Sequence, residues 1–101
     1  MTTGKPWTEN EIKTICNVYA TMLAKEQNEE KFNKAQARRE TLPLLDGRSG
    51  GSYEMKCCNI SAALNDMGMP WILGYKPRSG YQRSLKLAIV EACVSAGVYL
   101  T

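Results

Sequence analysis

A chain of 101 residues has room for a single modest core and is too short for two. It has no histidine, and its cysteines are Cys16, the adjacent Cys57 and Cys58, and Cys93, so C-x-x-C and Cys/His zinc spacings and imidazole chemistry are excluded. The formal net charge of +3 is mild; with no apolar run of about 18 residues and no charged-then-apolar leader, neither a membrane span nor a secretion signal is expected.

Met1 to Pro6 is short and polar and is expected to be frayed. Trp7 then precedes Thr8-Glu9-Asn10-Glu11, the S/T-x-x-E pattern of a capping box, in which the Thr8 hydroxyl and the Glu11 carboxylate each satisfy a backbone N–H. A first helix is predicted from here to near Glu26, with Ile12, Ile15, Cys16, Tyr19, Met22 and Leu23 as its core stripe and Trp7 packed back on Ile12. Gln27 to Lys31 reads as a polar loop. A second helix is predicted to open at Asn33 and to carry Lys34, Ala35, Ala37, Arg38, Leu42 and Leu45. Pro43 removes a donor and crowds the preceding turn, so this helix ends near Leu42 or is kinked there. Lys34 and Arg38 share a face, where they either straddle successive phosphates or are simply solvated.

The stretch from Asp46 to Gly68 runs a glycine-rich basic turn into an amphipathic helix and reads as the second half of a helix-turn-helix. Tyr53, Cys57, Ile60, Leu64 and Met67 recur at helical steps and form one stripe, leaving Glu54, Lys56, Asn59 and Asn65 to face water or a partner. Ser52, after Gly50 and Gly51, is the expected N-cap; Gly68 suits the C-terminal stop, and Pro70 cannot prolong the helix. Free backbone N–H groups at the helix start beside Arg48 can hold an anionic oxygen such as a DNA phosphate. An ordinary capped core helix after a flexible turn is the alternative.

Met69 to Gly80 holds two prolines and two glycines, which no helix survives, so an ordered loop is predicted. Trp71, Ile72 and Leu73 are expected to plug the core. Tyr75, with Lys76 and Arg78, either joins the plug or forms an exposed arm that meets a nucleic-acid backbone or stacks on a base. The last helix is predicted from Tyr81 to Ala96, with Leu85, Ala88, Ile89, Ala92 and Ala96 buried and Gly97 as its stop. The apolar tail Val98, Tyr99 and Leu100 packs on the core or leads into a further domain. Charge is unevenly spread: Met1 to Glu30 has three lysines against five glutamates, whereas Lys31 to Lys86 has ten basic residues against four acidic ones. That local excess suits a nucleic acid or an acidic partner, or a merely solvated surface.

The patterns W-T-x-x-E (Trp7, Thr8, Glu11), N-K-x-x-x-R-R (Asn33, Lys34, Arg38, Arg39), G-R-S-x-G-S-x-E-x-K (Gly47 to Lys56), N-I-S-A-x-L (Asn59 to Leu64), G-x-P-x-I (Gly68, Pro70, Ile72) and G-Y-K-P (Gly74 to Pro77) cover nearly the whole chain. Together they resemble the N-terminal part of bacterial and phage proteins, some of which carry HNH-type nuclease or other restriction-like modules downstream. That family has a polar pair where Cys57 and Cys58 stand here, so no base-reading role passes to these two positions. The order of a W-T-x-x-E helix, a second helix and an R-S-x-x-S helix is also similar to the three-helix Myb-like arrangement. That likeness implies a third helix in the major groove with Tyr53, Lys56 or Asn59 near base edges, which conflicts with Tyr53 as a core residue.

The expected fold is therefore all-α: a single small bundle of about four helices over residues 1–101, with a helix-turn-helix-like core and an ordered Pro/Gly/aromatic loop, or the N-terminal module of a longer protein. The expected function is non-catalytic DNA binding for a bacterial or phage defence or mobile-element protein in the cytoplasm, without cofactor or metal. Duplex DNA would be held along its phosphates by Lys34, Arg38, Arg39, Arg48, Ser49, Ser52, Lys56, Tyr75, Lys76 and Arg78, with Asn59 offering its amide to adenine. The alternative is a protein-interaction or inhibitor module, such as a phage-encoded antagonist of a bacterial immune complex. Its marks would be an exposed patch around Trp71 and Tyr75, or a homodimer through the alanine-rich last helix. An enzyme is not expected, because no nucleophile-and-base pair or carboxylate cluster is recognisable and the G-R-S-G-G-S turn lacks the Gly-Lys-Ser/Thr of a P-loop.

Overall fold

A computed structural model describes residues 6–101, so most of the frayed segment expected at Met1 to Pro6 lies outside the described residues. The capping box forms as expected. The Thr8 N–H donates to Glu11 Oε1 at 3.0 Å and the Glu11 N–H to Thr8 Oγ1 at 3.1 Å, opening α1 (Glu9–Gln27). Glu9 and Glu11 in its first turn and Lys25 in its last complement the helix dipole. All six residues of the expected α1 stripe are buried.

Asn33 caps α2 (Lys34–Thr41) by accepting from the Gln36 N–H at 2.9 Å. Pro43 does end this helix: the chain tightens into a 3-10 turn at Leu42–Leu44 and leaves it extended at Leu45, which drops into the core.

The start of α3 (Gly50–Asp66) corrects the sequence reading. Ser49, not Ser52, is the N-cap, with extended backbone and its Oγ accepting from the Ser52 N–H at 3.1 Å. Gly50 and Gly51 consequently lie inside the first turn rather than before it. At the other end Gly68 takes the left-handed conformation at φ 71°, and the bonds from Met69 N–H to the Leu64 carbonyl (2.9 Å) and Gly68 N–H to the Asn65 carbonyl (3.0 Å) close a Schellman motif. Helix α4 (Ser84–Ala96) stops in the same way at Gly97. It begins three residues later than predicted. Tyr81 is tied elsewhere: its hydroxyl donates to Asp66 Oδ2 at 2.5 Å.

The four α-helices form a small all-α bundle, with no strand among the described residues. The most extensive pairing is α1 on α4, while α3 packs on both and α2 leans on α1. Helix α3 is consequently buried on more than its apolar stripe: Asn59, Ser61, Ala62 and Ala63 are enclosed as well as Tyr53, Cys57, Ile60 and Leu64. The loop after it is the expected plug in part. Ile72 is fully buried and Trp71 half-buried, but Leu73 is 74% exposed. The tail packs on the core through Val98, and the main chain of Tyr99 is held by Gln27 in two bonds of 2.8 Å.

Candidate nucleic-acid interface

The expected contact residues divide between two places. The first is the turn before α3, where Arg48 is already occupied. Its Nε donates to Glu11 Oε2 at 3.0 Å, and its Nη2 donates to Glu11 Oε1 and to the Pro6 carbonyl, each at 2.9 Å. Both side chains of this pair are 6% exposed. The guanidinium also lies 4.3 Å from the centre of the Trp7 ring, and Lys56 Nζ reaches the same ring at 5.1 Å. Glu11 Oε2 further accepts from the Asp46 N–H at 2.9 Å. The Arg48 hydrogen bonds hold the Glu11 carboxyl down at about 2 against the opposing effect of burial, with help from the Thr8 and Asp46 N–H groups and the Arg48 charge. Burial, and then the Arg48 charge, push Lys56 below the usual lysine range. Arg48 and Lys56 thus fasten the α3 turn to the start of α1, which corrects their reading as open phosphate ligands. Of the first-turn amides of α3, that of Ser52 is taken by the Ser49 cap.

The second place lies across α2, α3 and the loop, where Lys34 and Arg38 of α2 and Arg78 of the loop all border α3. Lys34 Nζ donates to the Gly74 carbonyl at 2.8 Å and sits 4.3 Å over the Tyr75 ring. Arg38 crosses the first turn of α3: a Cβ on Gly50 would lie 3.6 Å from its Cδ. Arg78 is fixed through its main chain, its N–H donating to the Cys58 carbonyl at 3.0 Å and its carbonyl accepting from Asn59 Nδ2 at 2.6 Å. Burial, and then the Glu54 charge, raise the pKa of the Cys58 thiol against the opposing charges of Arg78 and Lys34. Arg39 and Lys76 are exposed next to this cluster in sequence. A cleft of about 190 Å³, lined by Lys34, Arg38, Tyr53, Glu54 and Tyr75 among others, lies between the segments.

Two expectations are corrected here. Tyr75 is a core residue, 2% exposed, and not an arm. Asn59 is 6% exposed with its amide spent on the loop, so it offers nothing to a base edge. The wider cause is the placement of α3. Its exposed residues are Gly51, Glu54, Met55, Asn65 and Asp66, an uncharged or acidic set that does not suit a helix inserted in a groove of DNA.

The buried polar groups of the core serve the fold. Tyr19 Oη lies 2.6 Å from Ser61 Oγ and accepts from the Ile72 N–H at 2.9 Å, joining α1, α3 and the loop at one atom. Burial pushes the thiols of Cys16 and Cys57 up to about 12 and that of Cys93 to about 11, so they stay protonated near neutrality. Tyr53 Oη is the buried side-chain oxygen without a hydrogen-bond partner among the described residues. The described residues hold no group of three or more potential metal ligands, and no helix is long and apolar enough to cross a membrane. Sequence reasoning did not find the Glu11–Arg48 pair; its one trace is a carboxylate already assigned to a cap. No family model, curated protein or solved structure matches the chain.

Proposed function

We propose that this chain is a non-catalytic DNA-binding module that grips the phosphate backbone of a duplex through Lys34, Arg38, Arg39, Lys76 and Arg78. The observation that carries the reading is that Lys34 and Arg38 line one cleft, with Arg38 across the first turn of α3 and Lys34 on the loop at Gly74, while the loop that bears Arg78 is bonded to α3 at Cys58 and Asn59. Like charges gathered by the fold favour a polyanion, and guanidinium groups match phosphate oxygens in geometry as well as charge. With α3 enclosed, the proposed mode is backbone gripping rather than readout by an inserted recognition helix. A place in a restriction-associated or phage-defence protein and a cytoplasmic site of action belong to the same proposal. The thiols Cys16, Cys57, Cys58 and Cys93, all free, suit a reducing compartment.

The test is a fluorescence anisotropy titration with random duplex DNA over a range of salt concentrations. Five phosphate contacts release counterions with a logarithmic salt slope of about −4.5, and the affinity should vary little with sequence. Absence of binding at low salt would remove DNA as the partner and leave the cationic face to an acidic protein.

A further inference from the structure

We infer that the outward face of α4 is a dimer surface, and that its occupant is the same face of a second copy of this chain. Leu85, Ile89, Ala92 and Cys93 turn one side of α4 into the core, yet the opposite side is also apolar: Leu87 is 65% exposed and Val94 67%. Beside Leu87 runs a groove of about 720 Å³ between α1 and α4, where Trp7, Ile12, Leu87 and Ala88 stand among polar residues that include Glu9, Lys13 and Glu91. Leu87 and Val94 are seven residues apart and so lie along one side of the helix, where together they offer an apolar contact to a partner.

The charges on the same face say what covers it. Arg83 and Glu91 are both exposed, each stands four residues from Leu87, and neither side chain has a partner among the described residues. The line Arg83, Leu87, Glu91 therefore runs along one side of the helix, with opposite charges about 6 Å on either side of an apolar centre. Two such helices laid antiparallel, with a two-fold axis at Leu87, bring each Arg83 onto the partner's Glu91 and pack Leu87 on Leu87. A parallel arrangement in the same register sets Arg83 against Arg83 and Glu91 against Glu91, so the charges select the antiparallel one. A polyanion finds no match here, because the face is apolar at its centre and the groove beside it carries Glu9 and Glu91 against Lys13. The inference is independent of DNA binding, whose cations lie elsewhere on the chain.

Sedimentation velocity over a range of protein concentrations tests it, with far-ultraviolet circular dichroism confirming that each variant is folded. The parent should pass from monomer to dimer as concentration rises, and Leu87→Asp should remain monomeric. Arg83→Glu and Glu91→Arg should each weaken the dimer by about tenfold or more, since each sets like charges face to face. The double variant Arg83→Glu with Glu91→Arg should recover it, as should an equimolar mixture of the two single variants. A parent that is monomeric throughout would overturn the inference. So would a dimer indifferent to all of these changes, or single variants weakened without recovery in the double variant and the mixture.

Discussion

Glu11 and Arg48, 37 residues apart in the chain, meet through two hydrogen bonds of 3.0 and 2.9 Å while Glu11 still caps α1 with the same carboxylate. One side chain thus starts the first helix and positions the turn that starts the third. Its folded pKa of about 2 lies below the ordinary 4.5. A depressed carboxyl contributes stability that is fully present above the unfolded value and is lost as pH falls through the folded one. The loss should therefore fall between about pH 4.5 and 2. Both side chains are only 6% exposed, so this drop from 4.5 to about 2 corresponds to at most about 3 kcal/mol. Urea unfolding at several pH values should show this loss in the parent, and Glu11→Gln should be less stable at neutrality and flatter across that range.

Because Arg48 is occupied by Glu11 and Pro6, Arg48→Ala should lower the thermal midpoint while leaving the salt slope of DNA binding unchanged. Arg38→Ala, Arg39→Ala and Lys76→Ala should do the reverse, each flattening the slope by about one unit with little effect on stability. Lys25→Ala, at the end of α1, is the control. An Arg48→Ala variant with normal stability and a flattened slope would return the anion site to the α3 turn.

Asn59 holds the loop by donating to the Arg78 carbonyl at 2.6 Å from an almost fully buried position. Asn59→Ala leaves that carbonyl without its partner and should cost about 1–3 kcal/mol. Amide hydrogen exchange should quicken at Arg78, whose N–H is bonded to Cys58 in the same place. DNA affinity should fall equally for all duplex sequences, through the loosened Arg78, and a selective loss for adenine-containing sites would contradict this account.

Tyr53 brings a hydroxyl into the core without a hydrogen-bond partner. Tyr53→Phe removes that group and keeps the ring, so stability should be unchanged or should rise by up to about 1 kcal/mol. A fall of the thermal midpoint would show that the hydroxyl is bonded in solution.

The local features of this fold were legible in the sequence by itself. The Thr8–Glu11 box, the α1 stripe, the opening of the second helix at Asn33, the break at Pro43 and the glycine stops at Gly68 and Gly97 each depend on residues close to one another in the chain, and each forms as read. Ile15, Tyr19, Ile60, Leu64, Leu85 and Ile89, central to their stripes, are all buried. The candidate interface was a different matter. A periodic pattern tells which side of a helix is apolar, but it does not tell how many neighbours surround that helix. Packing among α1, α4 and the loop encloses α3, and this took Asn59 from the solvent face into the interior. Charge counted along the chain likewise cannot distinguish a cation that faces water from one that meets a carboxylate. Tertiary structure decided that Arg48 is spent on Glu11, that Lys34 reaches the Gly74 carbonyl and that the loop bearing Arg78 lies on α3, because each of those meetings joins residues distant in sequence.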